Sequence, residues 1–242
     1  MLYFPKKLDR RQALAVLGAA VGAAVAACGS SSPTSPDTTS TTTTTTPTTS
    51  NNSTCVVSPS ETRGPYPDTV GMINNAAFYR RDITEGRSGL PLTLTLTVVD
   101  VNNACAAVSG VQVEVWQCDA GGTYSEYGAG AGQTFLRGVQ TTDANGQVTF
   151  ATIYPGWYAG RATHIHVDVY RSGTIVKTTQ IAFPEDVSRT VYASGVYASK
   201  GQNSTSNAGD NVFSDGTIGE MATLSGNTSS GYTATLQVGI SV

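Results

Sequence analysis

The chain of 242 residues is 39% hydrophobic and only 13% charged, with a formal net charge of −3. That is enough apolar material for one sizeable core, and the acidic balance, with no basic patch, excludes nucleic acid as a partner. Thr, Ser and Gly are abundant and no long helix-period apolar stripe appears, so the pattern points to an all-β domain.

The N-terminus, MLYFPKKLDRRQALAVLGAAVGAAVAACGSSS, has the layout of an export signal. Lys6, Lys7, Arg10 and Arg11 precede a weakly apolar run to Ala27 that is short for a bilayer span. Arg10-Arg11 resembles a twin-arginine signal, and Val25-Ala26-Ala27-Cys28 resembles a bacterial lipobox, whose cysteine is acylated. The expectation is a signal peptide over residues 1–27, a membrane anchor through lipid on Cys28, and an exported protein of the cell envelope or the extracellular space. An ordinary cleaved signal with an incidental cysteine is the alternative. Loss of residues 1–27 removes four bases and one acid, moving the net charge from −3 to −6. Residues 28–54, dominated by Thr, Ser and Pro, cannot form a core and read as a solvated tether. The folded domain is expected over residues 55–242.

With Cys28 assigned to lipid, Cys55, Cys105 and Cys118 remain in an oxidising compartment. Cys55 opens the folded domain and Cys105 falls between two strand patterns, so a Cys55–Cys105 disulfide is favoured, with Cys118 buried and free. Other pairings stay open. Strands are expected at residues 92–98 (LTLTLTV), 111–116 (VQVEVW), 164–170, 175–183 and 232–240, several of them alternating with a period of two. Asp143-Ala-Asn-Gly146 is a turn signal between 135–141 and 147–153, where a hairpin is expected. Short strands between Gly- and Asn-rich turns argue for a β-sandwich of mostly antiparallel strands with long connecting loops. Residues 194–231, rich in Gly, Asn and Ser, leave a lid, a dimer contact and a plain excursion equally open. The oligomeric state is open too, a homodimer included.

Both histidines of the chain lie in one segment, YPGWYAGRATHIHVDVY, residues 154–170. On a pleated strand Ile165, Val167 and Val169 share one face, and His164, His166, Asp168 and Tyr170 the other. Two imidazoles on one face suit a metal, although a polar outer face that happens to hold two histidines has the same pattern.

Several motifs together resemble the intradiol ring-cleavage dioxygenases, and most closely the exported subgroup of that family. They are ETRGPY (61–66), VWQCDA (115–120) with GTYS (122–125), FLRG (135–138), TIYPGWY (152–158), GRATHIH (160–166), TTQ (178–180) and FPED (183–186). They run in order across residues 55–191. The resemblance implies one Fe(3+) per chain, held by Tyr124, Tyr158, His164 and His166. Phenolate is a hard oxygen donor that stabilises the oxidised metal. It further implies cleavage of a catechol by O2 between its two hydroxyls, giving a cis,cis-muconate-type dicarboxylate. In that reading Tyr158 also takes up a substrate proton, Arg161 stabilises negative charge beside the substrate, Gln180 lies near the active site, and Tyr66 lines the substrate pocket. The sequence departs from the family pattern at Arg63, where an acidic residue is more usual, and at Ala162 and Thr163, in place of proline and alanine. Trp157 reads as a packing residue. Two further readings remain: a surface-displayed, non-enzymatic β-sandwich binding module, and a copper or zinc protein of the His-x-His kind.

Overall fold

The structure is a computed structural model that describes residues 55–242. The expected signal peptide, Cys28 and the tether of residues 28–54 lie outside the described residues.

Alternation fixes the first long strand. In β1, Pro91–Asp100, Leu92, Leu94, Leu96 and Val98 are buried while the intervening threonines face outward. β1 runs parallel to β9, Gly231–Ile240, and antiparallel to both β5, Gln147–Ile153, and the short β2, Ala106–Ala107. β8, Thr223–Asn227, adds to the far side of β9 as a hairpin and completes a five-stranded sheet. The second sheet has four antiparallel strands in the order β4-β3-β6-β7: Arg137–Thr141, Gln112–Trp116, His164–Arg171 and Thr174–Ala182. Leu94, Leu96, Phe150 and Val238 from the first sheet meet Val113, Val115, Ile165, Val167 and Ile181 from the second. Each such fully buried side chain stabilises by about 1.5–3 kcal/mol. The expected β-sandwich is what forms.

The expected hairpin is not. Asp143-Ala-Asn-Gly146 does turn the chain, with Gly146 N–H donating to Asp143 O and Asp143 N–H to Gln147 O, each at 3.0 Å. Yet β4 pairs with β3 in one sheet and β5 with β1 in the other. The turn is docked on β1: Val98 N–H donates to Gly146 O at 2.8 Å, and a Cβ on Gly146 would lie 2.5 Å from Val98 O. The bend therefore carries the chain across the sandwich, so that Val148 and Phe150 enter the core opposite the second sheet.

Between β7 and β8 the only α-helix among the described residues, α1, spans Glu185–Tyr192. Pro184 precedes it and Glu185 and Asp186 occupy its first turn, an arrangement that favours a helix N-terminus. The long segment after it contributes Tyr197, Asp210, Phe213 and Glu220 to the buried interior. Among the described residues no helix is long and apolar enough to cross a membrane.

An N-terminal arm closes the polar side of the second sheet. Its start is fixed by a Cys55–Cys105 disulfide with a Cα–Cα distance of 5.8 Å, while Cys118 is buried and free. Ser58 exchanges hydrogen bonds with Gly239 on β9, and Glu61 N–H donates to Thr178 O on β7 at 3.0 Å. Lys177 Nζ donates to Ser58 O at 2.7 Å and Gln180 Nε2 to Thr62 O at 2.8 Å. The disulfide spans a sequence separation of 50, and loop-closure entropy over that length is worth about 4 kcal/mol. Replacing both Cys55 and Cys105 by serine should lower the unfolding free energy by roughly 3–4 kcal/mol, read as a fall in the denaturant midpoint at unchanged slope.

Candidate metal centre

Four donors from three separate elements converge at the start of β6, on the face of the second sheet turned away from the core. His164 and His166 come from β6, whose odd residues are locked into the core. Tyr124 comes from the loop after β3, where Asp119 braces the backbone by accepting from Gly121 and Thr123 N–H at 3.0 and 2.9 Å. Tyr158 follows the Pro155-Gly156 turn after β5. His164 Nε2 lies 3.2 Å from His166 Nε2, 3.3 Å from Tyr124 Oη and 3.5 Å from Tyr158 Oη. His164 Nδ1 donates to Ala162 O at 2.6 Å, which fixes the tautomer and leaves the Nε2 lone pair facing the other three donors. His166 has no such bond; its buried Nδ1 has no hydrogen-bond partner among the described residues. Its ring is held instead by stacking on Trp116, at 4.7 Å and 4° between planes.

Burial controls the charge state. It pulls His164 down to about 3, with Arg161 next in effect, and His166 well below its ordinary value, with His164 next. It pushes the Tyr124 phenol well above its usual range and raises Tyr158 in the same direction. The two imidazoles are thus neutral, as metal ligation requires, and the two phenols are the groups a cation would deprotonate. The 3.2–3.5 Å separations of His164 Nε2 from the other three donors match the edges of a coordination shell with bonds near 2 Å. Among the described residues no three His, Cys, Asp or Glu side chains share such a point. Two of the four donors here are tyrosines, and that donor set fits a hard trivalent cation such as Fe(3+).

The remaining sequence-selected residues lie around this point. Arg161 NH1 is 3.5 Å from His164 Nε2, and its NH2 donates to Gln180 Oε1 at 2.5 Å. Gln180 pairs with His166 across β6 and β7 and ties Arg161 to the arm. Tyr66 stacks on Tyr124 at 4.5 Å and stands edge-on to Tyr158 at 5.5 Å. Trp157 is half-buried against the core and donates to Gly201 O at 3.0 Å. The departure at Arg63 is explained by its partners, Asp168 at 2.6 Å and Glu114 at 3.4 Å, which it ties to the arm. Sequence reasoning passed over Trp116, Tyr127 and above all Asp210, which is fully buried and receives Arg161 Nε at 2.8 Å. No local pattern around Asp210 marks it.

A family model described as Dioxygenase matches residues 63–203. An intradiol ring-cleavage dioxygenase from Tetranychus urticae is 30% identical, with 77% of this chain and 95% of that one covered and a TM-score of 0.70. The chain belongs to the intradiol ring-cleavage dioxygenase family. Another relative by structure is the dioxygenase domain of a dioxygenase–carbohydrate-binding fusion from a cellulolytic Streptomyces. It is 28% identical over 77% of this chain and 99% of that one, with a TM-score of 0.57. The 3-chlorocatechol 1,2-dioxygenase of Rhodococcus opacus, at 22% identity over 76% and 72% of the two chains and a TM-score of 0.54, shares the fold. No curated protein sequence matches the chain.

Two outcomes follow from the geometry. A Cβ on Gly64, at φ +68°, would meet His166 Cε1 at 2.9 Å. Gly64→Ala should therefore displace that ring and lower bound iron per chain by about 10–100-fold in affinity, measured by metal titration. Beneath the arm, the buried Glu114 and Asp168 face each other across β3 and β6 and share Arg63. Burial and then Asp168 push Glu114 up to about 7 from its ordinary 4.5. The native state therefore carries an extra proton between those values and loses stability as pH rises through that window. Glu114→Gln should melt higher than the parent above pH 7 and converge with it at pH 4.5.

Proposed function

We propose that this protein is a non-haem Fe(3+) enzyme that opens catechols between their two hydroxyls with O2, releasing cis,cis-muconate-type dicarboxylates. The observation that carries the reading is the meeting of two phenols and two imidazole Nε2 atoms within 3.5 Å of one point, His164 Nε2. Tyr124, Tyr158, His164 and His166 would hold the iron, which would supply Lewis-acid and electron-accepting chemistry to the catechol.

The chain's own residues prepare that encounter. Tyr124 is buried, whereas Tyr158 is only partly buried. Tyr158 Oη is thus the base that receives a proton from the incoming catechol. Arg161 NH1 faces the donor cluster and stabilises negative charge that develops on the ring and its oxygens. Gln180 holds that guanidinium in place through Oε1. Tyr66, stacked on Tyr124, supplies an apolar wall for a flat aromatic substrate and helps exclude bulk water. Export and lipid attachment at Cys28 belong to the same reading, which the Cys55–Cys105 disulfide supports because such bonds persist in oxidising compartments.

Purified protein should contain iron at about one per chain, absorb in the visible through tyrosinate-to-iron charge transfer, and consume O2 with catechol. Products from catechol, hydroxyquinol and chlorocatechols, identified by mass, should be ring-opened dicarboxylates. A colourless protein that stays inert after iron loading, or a semialdehyde product, sinks the proposal. His164→Ala should abolish the visible band, Tyr158→Phe should shift it, and Arg161→Gln should cut kcat by about 10²–10³-fold with the band retained.

A further inference from the structure

The segment of residues 194–231 reaches the site through Asp210, and the chemistry of that contact bears on which catechols fit. The Asp210 carboxylate accepts from Arg161 Nε through both oxygens, at 3.0 and 2.8 Å, from Ala162 N–H at 2.6 Å and from Val212 N–H at 2.8 Å. Asn203 Nδ2 adds a bond to Arg161 O at 2.9 Å. With Nε on Asp210 and NH2 on Gln180, the guanidinium has one orientation and NH1 is the edge turned to the donor cluster. Arg161 and Asp210 are both buried, so the two together bring no net charge to the substrate.

The other arginines near the site are already ion-paired, although Arg137 NH1 is buried with no hydrogen-bond partner among the described residues. Arg63 is paired with Asp168 and Glu114. Arg137 lies 3.4 Å from Glu126 and donates to Ser125 Oγ and to the Ser125 and Tyr66 carbonyls. Lys200 donates to Gly121 O and sits over the Trp157 ring at 4.8 Å. The acidic side is less balanced. Burial and then Asp215 hold Glu61 above its ordinary value, with Asp210 adding to the effect and Arg161 opposing it.

We propose that Asp210 is a positioning and specificity-determining residue: by holding Arg161 in a neutral buried pair, it restricts the site to catechols whose ring substituents carry no negative charge. The inference rests on the intradiol reading above. A ring carboxylate placed beside Arg161 would lose its water, find each nearby arginine already ion-paired and meet the field of Asp210. An uncharged ring loses none of these interactions. The same pairing keeps NH1 aimed, so Asp210 acts on kcat through Arg161 and on substrate choice through charge.

The test compares 4-methylcatechol with 3,4-dihydroxybenzoate on the iron-loaded full chain. Binding is read by calorimetry without O2, and turnover by O2 uptake. The parent protein should bind the carboxylate at least about tenfold more weakly. Asp210→Asn keeps an oxygen for one of the two backbone N–H groups, which donate to different carboxylate oxygens, and unmasks the Arg161 charge. It should narrow that ratio by about tenfold and lower kcat on 4-methylcatechol. A merely structural role would lower the melting temperature and both rates alike with the ratio unmoved, and that result overturns the proposal. Equal affinity of the parent for the two rings also overturns it, even if the variant does not fold. Inertness towards every catechol overturns the intradiol reading and this inference with it, whereas turnover without charge discrimination overturns this inference alone.

Discussion

The register of β6 is the constraint on which the rest of the structure depends. Its odd residues, Ile165, Val167 and Val169, are fully buried between the sheets, and that burial leaves His164 and His166 no choice of face. A slip of one residue would put imidazoles into the hydrocarbon core and valines against the tyrosines. The apolar contacts of the sandwich thus position the histidines before any metal is present. Tyr124 and Tyr158 then arrive on loops that leave the same end of the sandwich.

Because both faces of β6 are covered, the polar face has the opposite problem. Buried Glu114, Asp168, Arg137 and Tyr170 must be satisfied by protein rather than by water. The arm does much of this. Arg63 serves Asp168 and Glu114, Thr62 O takes Gln180, and Ser58 and Ser60 take Lys177. A buried ion pair gives weak net stabilisation, yet each of these bonds fixes where the arm lies. Gly64 follows directly, pressed against His166 where no side chain has room. The arrangement trades stability for position.

Much of this was legible in the sequence, for identifiable reasons. Strands such as 92–98 and 164–170 announced themselves because one face is apolar and the other is not, and period two survives in the letters. The motifs around Tyr124, Tyr158, Arg161 and the two histidines could be read because they are short and contiguous. At Asp143–Gly146 the sequence marks the bend, but the hairpin it suggests does not form, since turn chemistry sets local geometry while Val98 and the core decide which sheet receives β5. α1 was passed over because eight residues with three buried positions give too little periodicity to see. Asp210 left no trace either. Its partner Arg161 is 49 residues away, and a single acid in a polar stretch looks like any other solvated carboxylate.

The arm that covers His166 begins at Cys55, so the roof of the site is tied to the body by a bond that only an oxidant can make. The sandwich core needs no such reagent. Assembly therefore divides into two stages with different requirements: collapse of the sheets, which sequence alone drives, and latching of the arm, which the surroundings must permit. A chain held under reducing conditions would keep its strands while the cover over its histidines hung by hydrogen bonds alone. Completion of the cover over His166 thus depends on the redox state around the chain.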